Sequence, residues 1–110
     1  MTTVTFRTEK SRITGFTVQG HSDYADAGED IVCAAVTSSV RLIEAAVNDV
    51  LGLSAPVLIR EEIPSVTFRL PGGLSDEAET TCQTLLTAFM LYGAQLHEEY
   101  PEFLEVLEQD

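Results

Sequence analysis

Val4 and Phe6 alternate with Thr5 and Arg7, and after a polar cluster at residues 8–12 a β-branched and aromatic run resumes: Ile13, Thr14, Gly15, Phe16, Thr17, Val18. These two runs predict a β-hairpin. Residues 19–29, which include Gly20, His21, Tyr24 and Gly28, hold too few apolar side chains for a core element and read as a loop. From Asp30 the period changes. Val32, Val36, Val40, Ile43, Val47 and then Val50 or Leu51 recur at spacings of three and four, with Arg41, Glu44, Asn48 and Asp49 between them. That spacing predicts an amphipathic helix from Asp30 to near Gly52, a residue type suited to the left-handed position beyond a helix end.

Val57, Leu58 and Ile59, followed beyond Ile63-Pro64 by the alternating Val66, Thr67, Phe68, Arg69, Leu70, predict a second hairpin with Pro64 near its turn or on an edge. Pro71-Gly72-Gly73 is a turn leading into a second helix, with Asp76 and Glu79 at capping-box spacing and three acids in the first turn. Its apolar stripe is Cys82, Leu85 or Leu86, Phe89, Tyr92 and Leu96, reaching about His97, and Tyr100-Pro101 stops it. For residues 101–110 the pattern fits a short strand and a helical turn equally. The order strand-strand-helix, twice over, predicts a two-layer α+β fold: a mostly antiparallel sheet with two helices on one face. No residue motif repeats between the halves, which argues against internal duplication.

The 110 residues, 12.0 kDa, suit a single domain over residues 1–110. With 45% hydrophobic and 22% charged residues the composition is that of a folded globular chain rather than a disordered one. No stretch approaches the ~18 apolar residues of a membrane span, and the opening MTTVTFRTEK lacks the apolar core of a signal peptide. A cytoplasmic location without membrane contact is expected. Eighteen acidic residues against six basic ones give a formal net charge of -12. Lys10 and the Arg residues 7, 12, 41, 60 and 69 are scattered, so the chain lacks the clustered cations that nucleic-acid binding needs. After Arg69 there is no basic residue but nine acids, which makes a basic macromolecule the natural complement if the charge serves binding at all rather than solubility.

The densest set of reactive side chains runs from Gly20 to Ala35 and centres on His21 and Cys33. Cys33 falls in the first turn of the predicted helix, where unpartnered N–H groups and the helix dipole favour thiolate and can receive an oxyanion. His21 ends a strand, and the intervening loop is long enough to bring the imidazole beside the sulfur, as a general base for a nucleophilic thiol. Asp30 reads either as the helix N-cap or as the carboxylate that orients His21. Against this stands the commoner fate of a single cysteine on an apolar helix face, which is packing. A metal site drawn from His21, Cys33, Cys82 and His97 lacks the close ligand pairs of structural zinc sites, so no metal and no cofactor are expected. Two cysteines without a signal peptide do not make a disulfide framework. Cys82 reads as a core thiol and His97 as a helix-end imidazole.

Gly20-His21, a loop of acids and small residues with Gly28, and then Asp30-Ile31-Val32-Cys33-Ala34-Ala35-Val36 together resemble the Prp family of bacterial ribosomal-processing cysteine proteases. The resemblance extends over nearly the whole chain, through the opening hairpin to Tyr100-Pro101. It implies a homodimeric Cys-His protease that removes a short N-terminal extension from the twenty-seventh large-subunit ribosomal protein. By position Cys33 would be the nucleophile and His21 the general base, with Gly20 and Asp30 supporting. One departure is Thr37, where relatives carry Ser four residues after the Cys, although a hydroxyl survives there.

The residue-level reading is compatible with these implications. A basic ribosomal protein is the kind of substrate a chain at -12 would attract. Residues 22–29 would close over a bound peptide, with Gly20 and Gly28 as hinges and Tyr24 as either a substrate contact or loop filler. The competing class is a non-enzymatic acidic module that docks or chaperones a basic ribosomal protein, which accounts for the charge but not for the His-loop-Cys order.

Overall fold

The computed structural model describes residues 1–20 and 27–110, with the backbone alone at residue 27. The chain forms β1 (Thr2–Glu9), β2 (Arg12–Gln19), α1 (Ala27–Glu44) running on into a π-helical turn (Ala45–Val50), β3 (Val57–Arg60), β4 (Ser65–Arg69), α2 (Asp76–Glu99) and β5 (Leu104–Gln109). The expected strand-strand-helix order holds in both halves, and the final segment, open between strand and helical turn, is a strand. Strands are ordered β3-β4-β2-β1-β5 across one sheet. All neighbours are antiparallel except β1 and β5, which run parallel.

Lys10 and Ser11 between β1 and β2 both have positive φ, 51° and 66°, the mirror-type two-residue turn whose twist matches the flanking strands. Registers then align the side chains in rows. Phe6 lies opposite Phe16 and Phe16 opposite Phe68, all on the face toward the helices and all fully buried. Phe16 and Phe68 stack at 5.1 Å, while Phe89 of α2 sets its edge on Phe6 and Phe16 at 5.3 and 5.0 Å. The next row on this face is Val4, Val18, Val66, Ile59. The alternating Thr3, Thr5, Thr17 and Thr67 point to the opposite face, away from the helices, where the Thr17 and Thr67 hydroxyls meet at 3.1 Å.

The valine stripe of the first helix is buried as expected at Val32, Val36, Val40, Ile43 and Val47, and Gly52 takes the left-handed conformation at φ 68°. Three expectations need correction. The helix starts at Ala27, not Asp30, so Asp30 lies within the first turn and is not the N-cap, and Gly28 is helical rather than a loop hinge. The cap of α2 is Ser75, whose hydroxyl accepts from the Ala78 N–H at 3.2 Å. Glu79, assigned to a capping box, instead receives Arg12 through Nε at 2.7 Å and one Nη at 3.0 Å. Finally, α2 buries Gly93 rather than Tyr92, which is 42% exposed. Here β5 packs against the helix, with a Val106 side-chain carbon 3.4 Å from where a Cβ would sit, an ordinary contact distance.

Candidate active site

Two features bring the chain to the site. Gly20, directly after β2, has φ 92°, and a Cβ there would stand 2.2 Å from the Met1 carbonyl oxygen. Only glycine allows the chain to leave β2 in this direction, just before His21. In the first turn of α1, Gly28 packs on the Phe103 ring, with a would-be Cβ 2.5 Å from the nearest ring carbon. The Thr2 N–H donates to the Phe103 carbonyl at 2.9 Å, and the Met1 ammonium pairs with Glu29 at 2.9 Å. The start of α1 is thus fixed between the beginning of β1 and the turn before β5.

Cys33 projects from the second turn of this helix and is half-buried. A helix leaves the N–H groups of its first turn without intrahelical partners, here those of residues 27–29 among the described residues. They lie one turn before the sulfur, which corrects the expectation that Cys33 itself sits among them. One turn further on, Thr37 faces the same way as Cys33. Both line a groove of about 400 Å³, together with Val36 from α1 and Thr2, Val18 and Gln19 from the adjoining strands. Its far wall is the β3–β4 hairpin, from Ile59 through Arg60, Glu61 and Pro64 to Val66. The floor is the outer part of the valine row, where Val18 and Val66 are only partly covered. An apolar slot beside a thiol can hold a side chain while the sulfur meets a neighbouring carbonyl.

Of the site residues read from sequence, Cys33 and Thr37 line the groove together. Gly20 and Gly28 lie on either side of residues 21–26, and Asp30 is exposed on α1. His21 and Tyr24 lie outside the described residues. The hairpin wall escaped the sequence reading because its residues become site residues only by tertiary juxtaposition. No spacing relative to Cys33 signals them. Phe103 escaped for the same reason.

Cys82 and His97 stand elsewhere. Cys82 is fully buried in α2, where burial, and after it the charge of Glu79, push its thiol up. His97 donates from Nδ1 to the Leu104 carbonyl at 2.6 Å and anchors the start of β5. No disulfide joins Cys33 and Cys82, and among the described residues no cluster of three or more metal-ligating side chains occurs.

The model of the family described as cysteine protease Prp matches residues 1–105. The chain belongs to the Prp family. It is accordingly an enzyme, a cysteine peptidase of the ribosomal-processing kind. The ribosomal processing cysteine protease Prp of Bacillus subtilis strain 168 is 31% identical over 91% of this chain and 89% of its own. That of Staphylococcus aureus is 27% identical over 86% of this chain and 85% of its own. In fold the chain resembles the crystal structure of the essential ribosomal processing protease Prp from S. aureus in complex with a substrate peptide, with TM-score 0.82, 19% identity, and coverage of 99% of this chain and 100% of that one. The two-layer fold expected from the sequence is therefore that of Prp structures. No helix among the described residues is long and apolar enough to cross a membrane.

Proposed function

We propose that this Prp-family protease removes the N-terminal extension of the twenty-seventh large-subunit ribosomal protein in the cytoplasm, with Cys33 as nucleophile and His21 as its base. The observation that carries the reading is the half-buried Cys33 on the wall of a peptide-sized, apolar-floored groove. A structural neighbour is a Prp bound to a substrate peptide, which fits a peptide in this groove. His21 takes the proton of the Cys33 thiol, and the thiolate sulfur attacks the scissile carbonyl carbon. The tetrahedral intermediate collapses as the C–N bond breaks, and His21 returns the proton to the departing amine. Water, deprotonated by His21, then cleaves the thioester, releasing the extension as a carboxylic acid and regenerating the thiol.

The N–H groups at the start of α1 and the Thr37 hydroxyl serve as donors to the developing oxyanion. Asp30, three residues before Cys33, orients His21 from the exposed side of the helix. Tyr24 belongs to the segment that covers the substrate, and Gly20 and Gly28 set where that segment leaves β2 and joins α1. The domain spans residues 1–110 and acts as a homodimer, without metal or cofactor.

The test is cleavage of the host's own extended ribosomal protein, read by mass, comparing wild type with folded Cys33→Ala and His21→Ala. Cleavage at one site by wild type and by neither variant is expected. The net charge of -12 favours one second reading, an acidic module that only docks the basic protein. Tight binding without cleavage by folded wild type would select that reading.

A further inference from the structure

The sheet has two edges, β3 and β5, and they are built differently. An open edge invites another strand, and proteins commonly guard it with charge. On β5, Glu105 and Glu108 do so, with Asp110 just beyond. On β3 the charge is confined to its end, at Arg60 and at Glu61 and Glu62 of the adjoining turn, while Leu58 and Ile59 are 53% and 67% exposed, and Ile63 of that turn is 70% exposed. This apolar stretch of edge is continuous with the groove that holds Cys33, since Ile59 and Arg60 belong to both.

The register tells which backbone groups are available. The Arg69 N–H donates to the Pro56 carbonyl at 3.1 Å, which makes this a hydrogen-bonded pair of the antiparallel ladder. Such pairs recur every second residue, so Leu58 opposite Thr67 and Arg60 opposite Ser65 are also hydrogen-bonded pairs. The N–H and C=O of Val57 and Ile59 therefore face outward, and among the described residues nothing pairs with them. The Ile59 side chain, opposite Val66, lies on the helix side of the sheet. A strand added here would place the side chain facing Ile59 in line with Ile59, Val66 and Val18, extending the valine row by one position.

We infer that the β3 edge is where the peptide substrate docks, adding as a sixth strand through Val57 and Ile59 and setting an apolar side chain beside Ile59. The inference rests on the proteolytic reading above and names how that site holds its substrate. Strand addition supplies affinity from the main chain and specificity from alternate side chains. At ~4.8 Å per strand the added strand stands about 14 Å from Val18. About four extended residues cover that span. The docked stretch is thus separated by at least about four residues from the part of the peptide that lies over Val18.

The experiment measures binding of a fluorescent peptide spanning the processing site of the host's ribosomal substrate to the full-length Cys33→Ala protein. Ile59→Pro in that background removes one outward N–H and leaves the bonds to β4 in place. A second series N-methylates the peptide one amide at a time and leaves the protein untouched, so it serves even where the proline variant misfolds. A dissociation constant raised at least tenfold by folded Ile59→Pro, and an N-methyl effect alternating with period two, are the expected results. A uniform or absent N-methyl effect, no binding at all by the folded protein, or an Ile59→Pro variant that changes sedimented mass but not affinity overturns the inference, the last by giving the edge to a second copy of the chain. Cleavage by wild type is scored separately. Alternating binding without cleavage sinks the protease reading alone, and cleavage without alternation sinks the docking edge alone.

Discussion

Gly28 and Gly93 are both helical glycines, yet the same substitution has opposite consequences at the two. Replacing glycine by alanine in a helix gains about 1 kcal/mol in propensity. At Gly93 the new methyl meets a Val106 side-chain carbon at 3.4 Å, ordinary contact, so Gly93→Ala is expected to stabilise the fold by about 0.5–1 kcal/mol. At Gly28 it falls 2.5 Å from the Phe103 ring, and the overlap outweighs the gain. Gly28→Ala is expected to destabilise by about 1–3 kcal/mol and Phe103→Leu to relieve part of that loss, both read from urea midpoints at constant m. An unchanged midpoint in Gly28→Ala would dissociate Phe103 from the start of α1. Arg12 and Glu79 supply a pH-dependent pair. The hydrogen bond from Arg12 holds the Glu79 carboxyl below its ordinary value of 4.5, with desolvation opposing. A depressed carboxylate contributes fully above that value, and its contribution is lost as pH falls through the folded one. Glu79→Gln is therefore expected to cost about 0.5–1 kcal/mol at pH 7 and progressively less toward pH 3.

Elements are joined here by single polar side chains on backbone. Gln83 of α2 accepts the Ile13 N–H at 2.8 Å and donates to the Ile13 carbonyl at 2.9 Å, closing helix onto strand. Asn48 does the same for Ala55 across the turn that follows the π-helical segment, accepting at 2.6 Å and donating at 3.1 Å. Gln83→Leu removes both bonds at once from a part-buried strand end and is expected to cost about 1–3 kcal/mol, visible as faster amide exchange at Ile13. These clamps mark the limit of what was legible in the sequence. Local periodicity announced the valine stripe, the two hairpins and the stop at Tyr100-Pro101, because each is a contest settled within a few residues. It could not tell that Glu79 would prefer Arg12 to its own helix cap, that α1 would begin three residues early, or that a passing β5 would exchange Tyr92 for Gly93. Those outcomes depend on partners far away in the chain. The candidate site divides likewise: Cys33 and Thr37 were readable from their helix, whereas the hairpin wall opposite them was not.

Across the whole molecule the charge is unevenly spread. Arg7 and Arg69 flank Gly15 in one row on the sheet face turned from the helices, and Arg60 shares that face. The helices and the turn before β5 carry acids at Asp76, Glu77, Glu98, Glu99 and Glu102. A basic substrate is expected to associate several-fold more slowly as salt rises from about 0.05 to 0.5 M, with dissociation little changed, in stopped-flow mixing with Cys33→Ala. Salt-independent association would assign the charge to solubility alone. The parallel pairing of β5 with β1 bears on time rather than structure. Thr2 meets Leu104 across nearly the full length of the chain, so this ladder closes the longest loop in the sheet and is expected to form after the β1–β2 hairpin. Its reversal is expected to come first. When β5 departs, Phe103 leaves Gly28 and the Thr2 N–H loses its acceptor, so the start of α1 exchanges its amides together with β5 while the phenylalanine row stays protected. Such an enzyme would fall silent on warming well before it unfolds, and would recover at the speed of one returning strand.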